Sequence, residues 1–154
     1  MEQQLEQPEA TKSLREAPPV GGTSCAERGP MKVIIETIEH RTQRYPTVGD
    51  WFYQEDTLHI KVSKMSNWRY EALVAIHELV EVLACQHDGI TQEVVDEFDI
   101  NYEKQRTAGD CSEPGDAIDA PYRKQHCLAT GIERILAAEW GVNWAKYEDE
   151  VDGL

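Results

Sequence analysis

Two histidines and three glutamates in this chain have the residue types and spacing to hold a metal ion and use it. His77, Glu78 and Glu81 stand in the order H-E-x-x-E inside "YEALVAIHELVEVLACQHD", and His126 and Glu133 follow in "HCLATGIER". On a helix turning about 100° per residue, Glu81 falls about 40° from His77 and Glu78 about 100° from it. His126 and Glu133 fall about 20° apart on their own helix. Each pair therefore presents an imidazole and a carboxylate on one face. His77, Glu81 and His126, with Glu133 as a further candidate, form an N/O donor set that suits Zn²⁺, with Mg²⁺ or Mn²⁺ as alternatives. Cys127, beside His126, is a softer candidate ligand. Glu78, next to such an ion, is the candidate general base for activating water.

The charges around the motif strengthen this reading. From Glu71 through Glu103 there are nine acids and not one Lys or Arg. An exposed helix usually sets Lys or Arg four residues from Glu. Asp88, Glu81, Glu78 and Glu71 instead form one stripe, and the opposite arc carries Ala72, Leu73, Ile76, Leu79, Val80 and Leu83. Burying unpaired carboxylates costs several kcal/mol or forces protonation, which a divalent cation avoids. Two blander accounts stand beside it: Arg69, Arg106, Arg123 or Arg134 folding back onto the stripe, or a stripe that is simply solvated. Cys85 and His87 lie about 160° apart on the wheel and do not form a thiolate–imidazole pair.

The elements that must position these side chains are readable in outline. Residues 1–30, rich in Glu, Gln, Pro and Gly with no periodic apolar face, read as a disordered tail. Met31 opens the first stretch with strand character and could be the start of the folded unit. Residues 31–154 read as a single metal-binding domain. "MKVIIETIEH" reads as a strand, and "WFYQEDTLHIKVSKM" as a hairpin turning near Glu55-Asp56. Ser66 or Asn67 would cap a helix from about Trp68 to Gln86 that stops near Gly89. A second helix from about Thr91 to Gln105 would place Val94, Val95, Phe98 and Tyr102 on one side. The long loop "TAGDCSEPGDAIDAP" is of a length usually functional or mobile. A third helix, about Tyr122 to Trp140, would bury Leu128, Ile132, Ile135 and Leu136, and the acidic end would pack Trp144 and Tyr147 before fraying. Strands followed by helices predict an α+β fold, a small antiparallel sheet of three strands packed with three helices.

The totals restrict what such a domain could do. A net charge of −14 argues against direct DNA or RNA binding. No run approaches the roughly 18 apolar residues of a membrane span, and the N-terminus lacks the layout of a secretory signal. Four cysteines without a CxxC pair fit reduced thiols, so the expected location is the cytoplasm.

At H-E-x-x-E the chain resembles the zincin metallohydrolases. Their strand leads into a helix bearing H-E-x-x-H, whose histidines bind zinc and whose Glu acts as base. The resemblance implies "LHIKVSKM" as the strand, His77 as first ligand, Glu78 as base, Glu81 in place of the second histidine, and His126 or Glu133 as the later ligand. Its substrate would be a peptide or related group. Glu81 departs from the pattern and would blunt zinc's Lewis acidity. A weaker resemblance links His77-Glu78-x-x-Glu81 and Glu93-Val-Val-Asp96 to the E-E-x-x-E and E-x-x-D motifs of MazG-like nucleoside triphosphate pyrophosphohydrolases. That reading implies Mg²⁺ and a nucleotide substrate. The arrangement as a whole is similar to small uncharacterised proteins of bacteriophages and prophages, which implies a bacterial host cell. It also leaves a non-enzymatic alternative, an acidic protein that binds a host partner through exposed Glu71, Glu78 and Glu81.

Overall fold

β-branched and aromatic residues build the sheet on which everything else rests. A computed structural model describes residues 31–154; the tail expected over residues 1–30 lies outside the described residues. β1 (Lys32–Ile38), β2 (Gly49–Gln54) and β3 (Thr57–Ser63) form one sheet in the order β1-β3-β2. The hairpin is as expected: β2 runs antiparallel to β3 with Trp51 opposite Ile60, and the turn passes through Glu55 at φ 54°. The other pairing corrects the expectation, because β1 runs parallel to β3, from Lys32 opposite Thr57 to Ile38 opposite Ser63. The sheet is therefore mixed.

The cause lies in the connection from β1 to β2. It stays at one end of the sheet through a 3-10 turn at His40–Thr42 and leaves a strand-wide slot that β3 fills. Gln43 Nε2 donates to Val48 O (3.2 Å) and Ser63 Oγ (3.1 Å), while His40 Nδ1 lies 3.0 Å from Ser63 Oγ. These bonds wrap the connection around the end of β3. Alternation on β3 holds as read, with Leu58, Ile60 and Val62 fully buried and His59 stacked on Phe52 across the other face.

Four helices follow, one more than expected. α1 (Trp68–Asp88) starts at Asn67, whose side chain accepts from the Arg69 N–H at 3.1 Å. It ends at Gly89 in the left-handed region (φ 75°), where the Ile90 N–H reaches back to Cys85 O. Leu73, Val74 and Val82 join Leu58, Ile60 and Val62 in the core. α2 (Gln92–Gln105) and α3 (Arg123–Glu139) follow within a residue or two of the spacing-based bounds. The extra helix α4 (Trp144–Val151) forms where fraying was expected. Asn143 caps it by accepting from Lys146 N–H, and buried Tyr147 packs edge-on against Tyr70 at 5.2 Å. The fold is α+β, and no described helix is long and apolar enough to cross a membrane.

Two helix faces are turned differently from the hydrophobic reading. On α3 the buried residues are Gln125, His126, Ala129, Glu133 and Ala137, while Leu128 and Ile135 are exposed. Ala129 and Ala137 are small enough to let α3 pack closely on α1. His126 and Glu133 meet partners on α1 and α4, so the polar face goes inward. On α2, Val95 of the apolar side is buried and Phe98 packs against the core, but Asp99 is buried beside them and Val94 is exposed.

Candidate metal centre

α1 delivers His77, Glu78 and Glu81, and α3 delivers His126 and Glu133, each at the helical spacing that puts them on one face. Packing these faces together brings three ligand-type atoms into a triangle. His77 Nε2 lies 3.2 Å from His126 Nδ1, His126 Nδ1 lies 3.1 Å from Glu81 Oε2, and His77 Nε2 lies 3.6 Å from Glu81 Oε2. His77, Glu81 and His126 are all buried, and as a group they could hold a metal ion. A tetrahedral ion with N/O bonds of about 2.0–2.1 Å separates its ligands by about 3.3–3.4 Å, and the three edges bracket that value.

Glu133 stands outside the triangle. Its Oε2 lies 3.0 Å from the other nitrogen of His77, Nδ1, and its Oε1 accepts from the Tyr147 hydroxyl. With Nδ1–H donated to Glu133, the Nε2 lone pair of His77 faces the triangle. A carboxylate behind a histidine in this way fixes the ring and raises its basicity toward a metal. Glu81 is steadied likewise, with Oε1 accepting from Trp51 Nε1–H at 3.0 Å. His126 is placed by a close backbone approach: a methyl group at Gly115 would overlap its ring.

The electrostatics follow from burial set against these partners. Burial opposes charge on His77, but Glu133 and Glu81 together outweigh it and raise its imidazolium well above the ordinary range. His126 is lifted to about 10, with burial opposing and Glu113 and Glu81 prevailing. Burial would raise Glu81, yet bonds to His126 and His77 draw it down to about 2. Without an ion the cluster is thus an imidazolium–carboxylate network, and an ion that binds it must displace protons.

Glu78 differs from the others. Burial and then the charge on Glu81 push its carboxyl well above the usual range, and no hydrogen bond counters them. It lines a cavity of about 300 Å³ together with His77, Asp50, Asp99, Tyr45 and Glu113. Its carboxylate sits against Gly49, where a side chain would collide with it and with Val74.

The remaining sequence candidates are spread differently. Glu93 is exposed, and Asp96 is held by Arg44 at 3.0 Å. Cys127 is exposed on α3. None of the four arginines that could have folded back reaches the cluster: Arg69 lies over Trp68, Arg106 binds Glu103, Arg123 binds Asp116 O, and Arg134 binds Glu148. Glu81 is buried and Glu71 and Glu78 are half-buried, while Asp88, at the end of the stripe, is exposed and paired with Lys124 at 2.9 Å, so only that end is solvated.

Spacing rules do not single out Asp99, Glu113 or Asp116. Asp99 is buried and accepts from Tyr45 OH (3.2 Å) and Tyr122 OH. Burial lifts it to about 7, with the Tyr122 bond opposing and Glu81 adding. Its position four residues after Val95 was the available signal. Glu113 precedes and Asp116 ends the 3-10 turn Pro114–Asp116 in the long acidic loop, and they reach His126 only through tertiary packing. No protein-family model matches the chain, and neither a curated protein nor a solved structure matches it.

Proposed function

We propose that this domain is a zinc-dependent hydrolase in which His77, Glu81 and His126 hold the ion and Glu78 is the general base. The triangle of His77 Nε2, His126 Nδ1 and Glu81 Oε2 carries the reading, because its edges of 3.1–3.6 Å suit a tetrahedral ion. Octahedral Mg²⁺ at about 2.0–2.1 Å would ask for edges of about 2.8–3.0 Å. When bound, zinc would supply Lewis acidity, reduced by the anionic Glu81. Glu78 borders both the triangle and the cavity, where its carboxylate, once an ion lowers its proton affinity, would take a proton from water and return it to a leaving group. Glu133, with Tyr147 behind it, orients His77, and Trp51 orients Glu81.

The cavity has room for a small substrate or one residue of a larger one. Peptide and nucleotide substrates are the two classes that follow from the motif resemblances. The free thiols of Cys85, Cys111 and Cys127 support a reducing, cytoplasmic setting, and the resemblance to phage proteins supports a bacterial host cell.

Elemental analysis and a hydrolysis panel test the reading. Purified protein should carry a tightly held zinc that His77→Ala loses. Glu78→Gln should keep the ion and abolish hydrolysis of whichever peptide, ester or nucleoside triphosphate is cleaved. Protein without metal, whose melting is indifferent to chelators, would sink the proposal. Pyrophosphate release supported by Mg²⁺ and lost in Glu93→Gln would favour the MazG-like chemistry instead.

A further inference from the structure

The His126 ring has a second side. Its Nε2 is buried with no hydrogen-bond partner, in a residue only 5% exposed. Yet Glu113 Oε2 lies 3.0 Å from it and Asp116 Oδ1 lies 3.5 Å from it. At 3.0 Å without a hydrogen bond, the Glu113 oxygen therefore sits to the side of the line along which the ring nitrogen points. A carboxylate on that line would accept a hydrogen bond. A carboxylate beside it, as Glu113 is, stands where a neighbouring ligand of an atom on the line would stand, and Asp116 lies at ligand–ligand distance from the same nitrogen.

The three ligand atoms lie within 4.8 Å of one another. The distances from Nε2 bracket the same ligand–ligand separation of about 3.3–3.4 Å that tetrahedral N/O coordination requires. Gly115, between the two acids, brings the loop backbone against the ring. The carboxylates reach solvent, with side chains 49% and 65% exposed, so an ion could enter from outside.

We propose that Glu113, Asp116 and His126 Nε2 form a second divalent-cation site, so that the His126 imidazole bridges two ions, one on each ring nitrogen. The bridge, though not the outer site, rests on the inner zinc site proposed above. Coordination at both nitrogens displaces both ring protons of the imidazolium to solvent, one for each ion, and leaves an imidazolate. The charges then close: Glu81 and the imidazolate match the inner ion, and Glu113 and Asp116 match the outer one.

The test is equilibrium dialysis of the full chain against graded Zn²⁺, read by elemental analysis. Wild type should saturate at two ions, one tight and one weaker. The double variant Glu113→Gln/Asp116→Asn should keep the tight ion and lose the weaker one. Its fold should be intact by circular dichroism, since both side chains are exposed. His77→Ala should keep the outer ion alone. Saturation at a single ion, whether unchanged or merely weakened in the double variant, would overturn the outer site and leave the inner one standing. A single ion lost in the double variant but kept in His77→Ala would instead support the outer site and sink the inner. No ion in any variant would sink both.

Discussion

Replacing Glu133 by Gln tests whether the buried carboxylate behind His77 does what its position implies. Glu133 Oε2 is 3.0 Å from His77 Nδ1, and the residue is only 5% exposed, so its charge acts on the ring with little screening. Glutamine has the same shape. Its amide oxygen can still accept from Nδ1–H, and its amide group can donate to the Tyr147 oxygen. The substitution therefore removes charge while keeping both contacts, and its effect should lie at the low end of the range for such supporting groups. That is about tenfold in zinc affinity, or about 1.4 kcal/mol. Glu133→Ala removes charge and contact together and should approach about a hundredfold. Competition with a chromophoric chelator at neutral pH measures both. Unchanged affinity in the two variants would refute the supporting role. A loss of about a thousandfold or more in Glu133→Gln would exceed that range and put the carboxylate on the ion itself.

Two further outcomes follow from the same geometry. Gly115→Ala should displace the His126 ring and weaken zinc binding more than Glu133→Gln does, whereas Gly131→Ala, on open α3 surface, should leave it unchanged in the same chelator assay. In metal-free protein, Glu81 is held near 2 against an ordinary 4.5, so its stabilisation is full above about pH 4.5 and fades as pH falls toward 2. His126, lifted to about 10, stabilises fully below its ordinary 6.5, and that contribution fades as pH rises toward 10. Asp99, lifted to about 7, and the raised Glu78 lose stability as pH rises, so melting temperatures under chelation should peak at the acid end of this range, near pH 4.5, and fall toward neutral pH. A monotonic rise through neutral pH would contradict the imidazolium–carboxylate network.

Local patterns were enough to find α1, its Gly89 cap and an N-cap at Ser66 or Asn67, the hairpin, and the facing sets His77/Glu81 and His126/Glu133, because each follows from the spacing of neighbours. Strand direction was not legible. Whether β1 pairs with β2 or lies parallel to β3 depends on Gln43 and His40 gripping Ser63, a contact between residues far apart in the chain. The buried face of α3 misled for a different reason. Leu128 and Ile135 are more apolar than His126 and Glu133, but a polar residue can face inward when its partners are waiting there, and Ala129 and Ala137 let it approach them. Glu113 and Asp116 stood in a loop with no periodicity to assign them a direction.

The cluster also matters to how the chain holds together. His77 and His126 are 49 residues apart in sequence, and His77 and Glu133 are 56 apart, so the contact closes a long loop between α1 and α3. Joining such distant points costs the chain much of its freedom in a single step, and an ion shared by both helices would act as a removable cross-link against that loss. Because the unfolded chain offers no assembled site, free zinc at about a thousand times the dissociation constant would add about 4.1 kcal/mol to folding. The lifetime of this protein in a cell would then rise and fall with the supply of metal.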